Sequence, residues 1–148
     1  MKPEMELLWR LYEEDRTFSK HHEQQRTATS GLLVTISAAL IAFTAIDQKL
    51  EGADVLAGAL LIILGLFGAI FTHKQYERSR LHLNRSYAYF DAMNKAIEGV
   101  DLEALRRKAS EKNEADFPIS SKYKLSTLWI ILHYVILASG FLVTGAAI

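Results

Sequence analysis

The feature that most constrains this chain is the absence of formal charge over three long stretches. Asp, Glu, Lys and Arg fill residues 1–26, 47–54 and 73–124, and are missing from 27–46, 55–72 and 125–148. A helix packed in a water-soluble core usually carries a charged side chain on its outer face every turn or two. Three runs without one imply apolar surroundings on all sides, so lipid is the expected solvent. Crossing a hydrocarbon core of roughly 30 Å takes about 20 helical residues. The three runs hold 20, 18 and 24 residues. The expected fold is all-α: a helical integral membrane protein with three transmembrane helices and a cytosolic helical bundle or coiled-coil extension.

Lys and Arg in the flanks set the expected direction. Residues 47–54 carry one Lys against three acids, whereas 73–124 carry 11 Lys and Arg and 1–26 carry five. The N-terminus and 73–124 are therefore placed inside and DQKLEGAD in a tight outer turn. The C-terminus falls outside. The expected organisation is a cytosolic amphipathic helix (1–26), a transmembrane hairpin (27–72, spans 27–46 and 55–72), a cytosolic helical region (73–124) and a third span (125–148). The first apolar run begins late, after a stretch rich in both signs of charge, and lacks the form of a cleaved signal. It is expected to remain in the mature protein. The chain has no cysteine, which removes disulfides and thiolate metal sites. Its neutral net charge gives no whole-chain nucleic-acid footprint.

In the charged segments the pattern is helical. Leu8, Leu11, Tyr12 and Phe18 lie broadly on one side of residues 3–26. No proline or glycine separates them from the first span, so one helix is expected to run into the membrane. Tyr76, Leu83, Phe90 and Ile97 recur every seven residues, with Tyr87 beside them. Such a stripe implies packing against another helix, in an oligomer or a bundle. Nothing breaks the helix between 72 and 99, so a single helix of about 45 residues, roughly 65 Å, is expected. Gly99 is a natural C-terminal cap, Asp101 caps a short helix over DLEALRRKASEK, NEADFPISS forms the loop, and Ser120 or Ser121 starts the last helix.

Three constellations bear on function. Small and hydroxyl residues repeat at seven-residue spacing in each span: Ser30, Ser37 and Thr44; Gly58, Gly65 and Thr72; Ser126, His133 and Gly140. They either allow close helix packing or line a pore in an oligomer. His133 is the one ionisable side chain deep in a span, either a gate or a neutral imidazole bonded to a hydroxyl on a neighbouring helix. Lys74, Arg78, His82 and Arg85, with Arg106, Arg107 and Lys108, form basic clusters. They can meet anionic lipid, pair with Glu13, Glu14 and Asp15, or hold an anionic ligand such as a nucleotide or oligonucleotide. Catalysis has little support. His21 and His22 are adjacent rather than four apart, and no phosphate loop or nucleophile motif occurs. No catalytic residue, metal or cofactor is expected.

The stretch TATSGLLVTISAALIAFTAIDQKLEGADVLAGALLIILGLFGAIFTHKQYERSR, with the helix through Ile97 behind it, resembles the SLATT-type small membrane proteins of bacterial conflict systems. A charged helix enters a two-span hairpin with a very short outer turn, and a long heptad-bearing helix leaves it. The third span is additional to the simplest form of that layout. The resemblance implies a pore- or channel-forming effector of the bacterial inner membrane, acting in anti-phage defence by depolarisation. It also implies a co-encoded cytosolic sensor as partner, while the small-residue faces and the Tyr76–Ile97 stripe point to a homo-oligomer, taken as a tetramer. The competing expectation is a non-conducting anchor that docks a cytosolic partner.

Overall fold

The computed structural model describes every residue except Met1, residues 47–50 and Glu98. The described residues form an all-α chain: α1 (Pro3–Thr44), α2 (Asp54–Ala96), α3 (Leu102–Asp116) and α4 (Leu125–Ala146), with a 3₁₀ turn at Ser120–Lys122. Of these, α1, α2 and α4 are long and apolar enough to cross a membrane. Half of the expected outer turn, residues 47–50, lies outside the described residues.

Local chemistry explains the boundaries. Pro3 opens α1, where its missing N–H costs nothing, and Glu4 and Glu6 complement the positive end of the helix dipole. No breaker follows, and α1 continues for 42 residues. Asp54 opens α2, and its carboxylate accepts the Glu51 N–H at 2.9 Å. Gly99, at φ 80°, adopts the left-handed conformation that ends a helix cheaply. Asp101 then caps α3 by accepting the Ala104 N–H at 2.9 Å, as its position implied. The Asn94 side chain accepts the Leu102 N–H at 2.7 Å, so a second donor of that first turn is satisfied from α2.

Two local expectations are corrected. Residues 113–116 are helical rather than loop, because Asn, Glu, Ala and Asp present no steric bar. Termination waits for Pro118, which disfavours helical geometry at the residue before it. The last helix starts at Leu125 and not at Ser120 or Ser121, because extended Tyr123 separates it from the 3₁₀ turn.

The chain divides into two compact units. The span unit comprises Gln24–Tyr76 and Leu125–Ile148, and the charged unit comprises Met1–Glu23 and Glu77–Lys124. Both α1 and α2 contribute to each. In the span unit α2 and α4 lie antiparallel with backbones in close approach. A Cβ on Gly65 would stand 2.5 Å from the Leu137 nitrogen, and one on Gly140 would stand 2.7 Å from the Ile62 nitrogen. Gly58 faces Gly140 and Thr144 in the same way. Lipid gives no hydrophobic reward for helix association, so this loss of side-chain bulk is what lets dispersion act between backbones. Gly31 and Gly145 have open space where a Cβ would stand, so no such role falls to them.

In the charged unit α1 and α2 pack antiparallel, with α3 resting on the outside. Tyr12 lies against Phe90, with ring centroids 6.4 Å apart, and Trp9 stacks on Tyr12 at 5.5 Å. None of the α3 side chains is buried. The helix is held instead by its caps and by Arg106, whose guanidinium sits 4.7 Å from the Tyr87 ring centre and 5.2 Å from that of Phe90.

Candidate functional site

The buried face of α2 defines the interior of each unit. Asp54, Gly58, Leu61, Gly65, Gly68 and Thr72 are buried in the span unit, and Ser79, Ser86 and Met93 in the charged unit. Their steps are sums of threes and fours, so one seven-residue period runs the length of the helix. Apart from Leu61 and Met93 they are small or polar. The period of Gly58, Gly65 and Thr72 thus continues through Ser79, Ser86 and Met93. The aromatic and aliphatic stripe of Tyr76, Leu83 and Phe90 runs beside this seam and is half-buried, while Tyr87 and Ile97 are exposed.

At the centre of the span unit the three helices meet through polar atoms. Ser30 Oγ of α1 lies 3.0 Å from His133 Nε2 of α4 and 3.3 Å from Thr72 Oγ1 of α2. All three residues are 0% exposed. A hydroxyl can donate once and accept twice, so Ser30 can serve both neighbours. This is the imidazole–hydroxyl bond that the sequence left open as one of two roles for His133. The ring fits because Gly68 lies against it, and a Cβ there would collide with Nδ1 and Cε1. Gly68 was not singled out from sequence, although it precedes Thr72 by four residues and so shares its face.

The remaining candidates of the span unit are also internal. Ser37 is buried and its Oγ has no hydrogen-bond partner. Thr44 donates to the Ile41 carbonyl at 2.9 Å. Gly58, Gly65 and Gly140 are occupied by the α2–α4 approach described above. Ser30, Ser37 and Thr44 therefore face the bundle of their own chain.

In the charged unit the structure joins His82 to one of its expected acidic partners and adds neighbours that the sequence did not group with it. His82 Nδ1 pairs with Asp15 Oδ1 at 2.6 Å, and its ring is stacked near Phe18 at 5.2 Å and His22 at 5.5 Å. One helical turn away, Ser19 and Ser79 share a hydrogen bond of 3.0 Å, and Ser79 also reaches Glu23 at 3.5 Å. Of the expected acidic partners, Asp15 meets the basic face, at His82. Among the described residues no group of His, Asp or Glu is arranged to hold a metal ion.

The basic candidates do not converge on one point. Lys74 belongs to the span unit and the others to the charged unit. Arg78 and Arg85 are exposed, Arg106 stacks on Tyr87 and Phe90, and Arg107 reaches Glu111 at 3.8 Å on an open surface. Lys108 is exposed. A cleft of about 480 Å³ is instead lined by Arg16, Thr17, Ser19, Lys20, Glu23 and Leu83. Arg16 and Lys20, four residues apart on α1, give it two cations. The signal, two cations four residues apart, was present in the sequence but lay beside the acidic run Glu13, Glu14 and Asp15.

Comparison of the chain with protein-family models, with curated proteins and with solved structures finds no match.

Proposed function

We propose that the chain is a SLATT-like, homo-oligomeric membrane effector that opens a pore when an anionic ligand or a cytosolic sensor protein engages its charged unit. The observation that carries this reading is α2 itself. One uninterrupted helix of 43 residues supplies the buried seam of both units, and that seam is built from small and hydroxyl side chains. Such seams are shallow. They permit rotation or sliding at lower cost than interlocked Leu and Phe, and a helix that moves at one end carries the movement along its length.

In this reading the described arrangement is the closed state. Ser30 is bonded to Thr72 and to His133 Nε2, while His133 Nδ1 is buried without a partner, so these groups are turned away from any conduction path. Opening exchanges those bonds for water. The stripe of Tyr76, Leu83, Phe90 and Ile97, only half-buried or exposed within one chain, is the surface offered to neighbouring copies in a tetramer. A ligand drives the change only if it binds the open state more tightly than the closed one. Arg16 and Lys20 in the cleft, with Arg78 and Arg85 on α2, are its proposed contacts, and a nucleotide or oligonucleotide supplies the matching charge. In the orientation expected from the flanking Lys and Arg, these residues would lie in the bacterial cytoplasm and the C-terminus outside. Depolarisation would then halt growth of an infected cell.

A second reading, a non-conducting anchor, is favoured by one observation. The hydroxyl faces of α1 and α2 are consumed inside the monomer, as packing alone would require. Expression in bacteria with a membrane-potential dye separates the two. The effector reading expects depolarisation that is lost in Arg78→Glu/Arg85→Glu and in Arg16→Glu/Lys20→Glu. Potential that holds under every ligand and partner condition favours the anchor.

A further inference from the structure

The span unit contains two buried N–H donors with nothing to accept them. Arg26 is only 4% exposed, and its Nε has no hydrogen-bond partner. No ion pair to Arg26 occurs among the described residues. Trp129 Nε1 is likewise buried and unpartnered. Both atoms can only donate, and a guanidinium carries a formal positive charge.

Their register along the bundle corresponds. Ser30 and His133 are hydrogen-bonded to each other, and Arg26 and Trp129 each precede one of that pair by four residues. The helices α1 and α4 run in the same direction, since each lies antiparallel to α2. Four residues are one turn, or about 6 Å along the axis. Arg26 and Trp129 are therefore one turn from the Ser30–His133 bond in the same direction, on the faces that form it. That is the end of the bundle where α1 enters the apolar run and α4 begins.

A buried arginine without a counter-charge is costly, and the cost falls steeply when an anion shares the site. Water can accept an N–H but leaves the charge uncompensated. We infer that Arg26 and Trp129 form an anion site that takes a phosphate oxyanion. The group is either the headgroup phosphate of a lipid at the membrane surface or a free phosphate. This site is separate from the Arg16–Lys20 cleft, and the inference stands whether or not the chain conducts.

The test uses full-length protein, delipidated in a sugar-headed detergent and carrying Trp9→Phe so that Trp129 is the sole tryptophan. Its emission is followed while inorganic phosphate, phosphatidylglycerol or a phosphate-free glycolipid is added. A saturable shift with either phosphate source, absent with the glycolipid, is expected. A response to phosphatidylglycerol alone assigns the headgroup, and one to inorganic phosphate assigns the free ion. Arg26→Gln should raise half-saturation by about tenfold or more, the loss expected for a charged hydrogen bond. Trp129→Phe, read by calorimetry, should weaken binding too, and serves if Arg26→Gln fails to fold. The inference is overturned by an equal shift with glycolipid, by no shift with either phosphate source, or by unchanged affinity in these variants.

Discussion

Gly65→Ala offers the sharpest test of the span unit. The added methyl would lie 2.5 Å from the Leu137 nitrogen, 2.7 Å from its Cα and 2.8 Å from its Cβ. Ordinary carbon contacts lie at about 3.5–4.0 Å, so α4 must retreat by roughly 1 Å. Two of the three obstructing atoms are backbone, and no rotamer change relieves them. Overpacking of this kind costs about 1–3 kcal/mol. The gain in helix propensity from Gly to Ala offsets at most about 1 kcal/mol. Gly31→Ala collects that gain without the clash, because nothing lies within 4 Å of its added methyl. The two variants should therefore move in opposite directions in a thermal unfolding assay of detergent-solubilised protein. Gly65→Ala should melt several degrees below wild type, and Gly31→Ala at or above it. If Gly65→Ala matched or exceeded Gly31→Ala, the close approach of α2 and α4 would be wrong.

Other expectations follow from single contacts. Ser30→Ala removes the shared partner of Thr72 and His133 and should cost about 1–2 kcal/mol. A double-mutant cycle with His133→Phe should give less than the sum, and additivity would mean the bond does not exist. Asp15→Asn weakens the pair with His82 and should destabilise the charged unit by about 1–3 kcal/mol, read as faster limited proteolysis within it. Unchanged digestion would refute that pairing. Met93→Ala opens space in the charged seam and should cost about 2–4 kcal/mol. The same change at exposed Ile97 should fall near zero in the isolated chain, and only cross-linking between copies would reveal its role.

What the sequence made legible was whatever depends on pattern over many residues. The three charge-free runs, the unbroken course of α1 and α2, and the Gly99–Asp101 punctuation each rest on local rules that no neighbour overrides. The seam was less visible, because its members at 79 and 86 are serines. The large apolar residues Tyr76, Leu83, Phe90 and Ile97 flank it and carry the stronger seven-residue signal. The seven-residue step of Gly58, Gly65 and Thr72 would have found it, had the step been carried past the membrane boundary. The Ser30–Thr72–His133 meeting was half legible, since each member was marked but their mutual register was not. Pairwise arrangements such as Asp15 with His82, or Arg26 level with Trp129, depend on how helices are staggered, which a single sequence does not encode at short range.

The central claim is that three charge-free helices lie in lipid, with residues 1–26 and 73–124 on one side and the short 47–54 turn on the other. Because the natural chain lacks cysteine, single cysteines report position without background. In intact cells a membrane-impermeant maleimide should label Ala53→Cys and Ile148→Cys at once. Ser110→Cys should react only after permeabilisation, and Ile63→Cys in neither condition. Ready labelling of Ile63→Cys, or of Ser110→Cys from outside, would contradict the account.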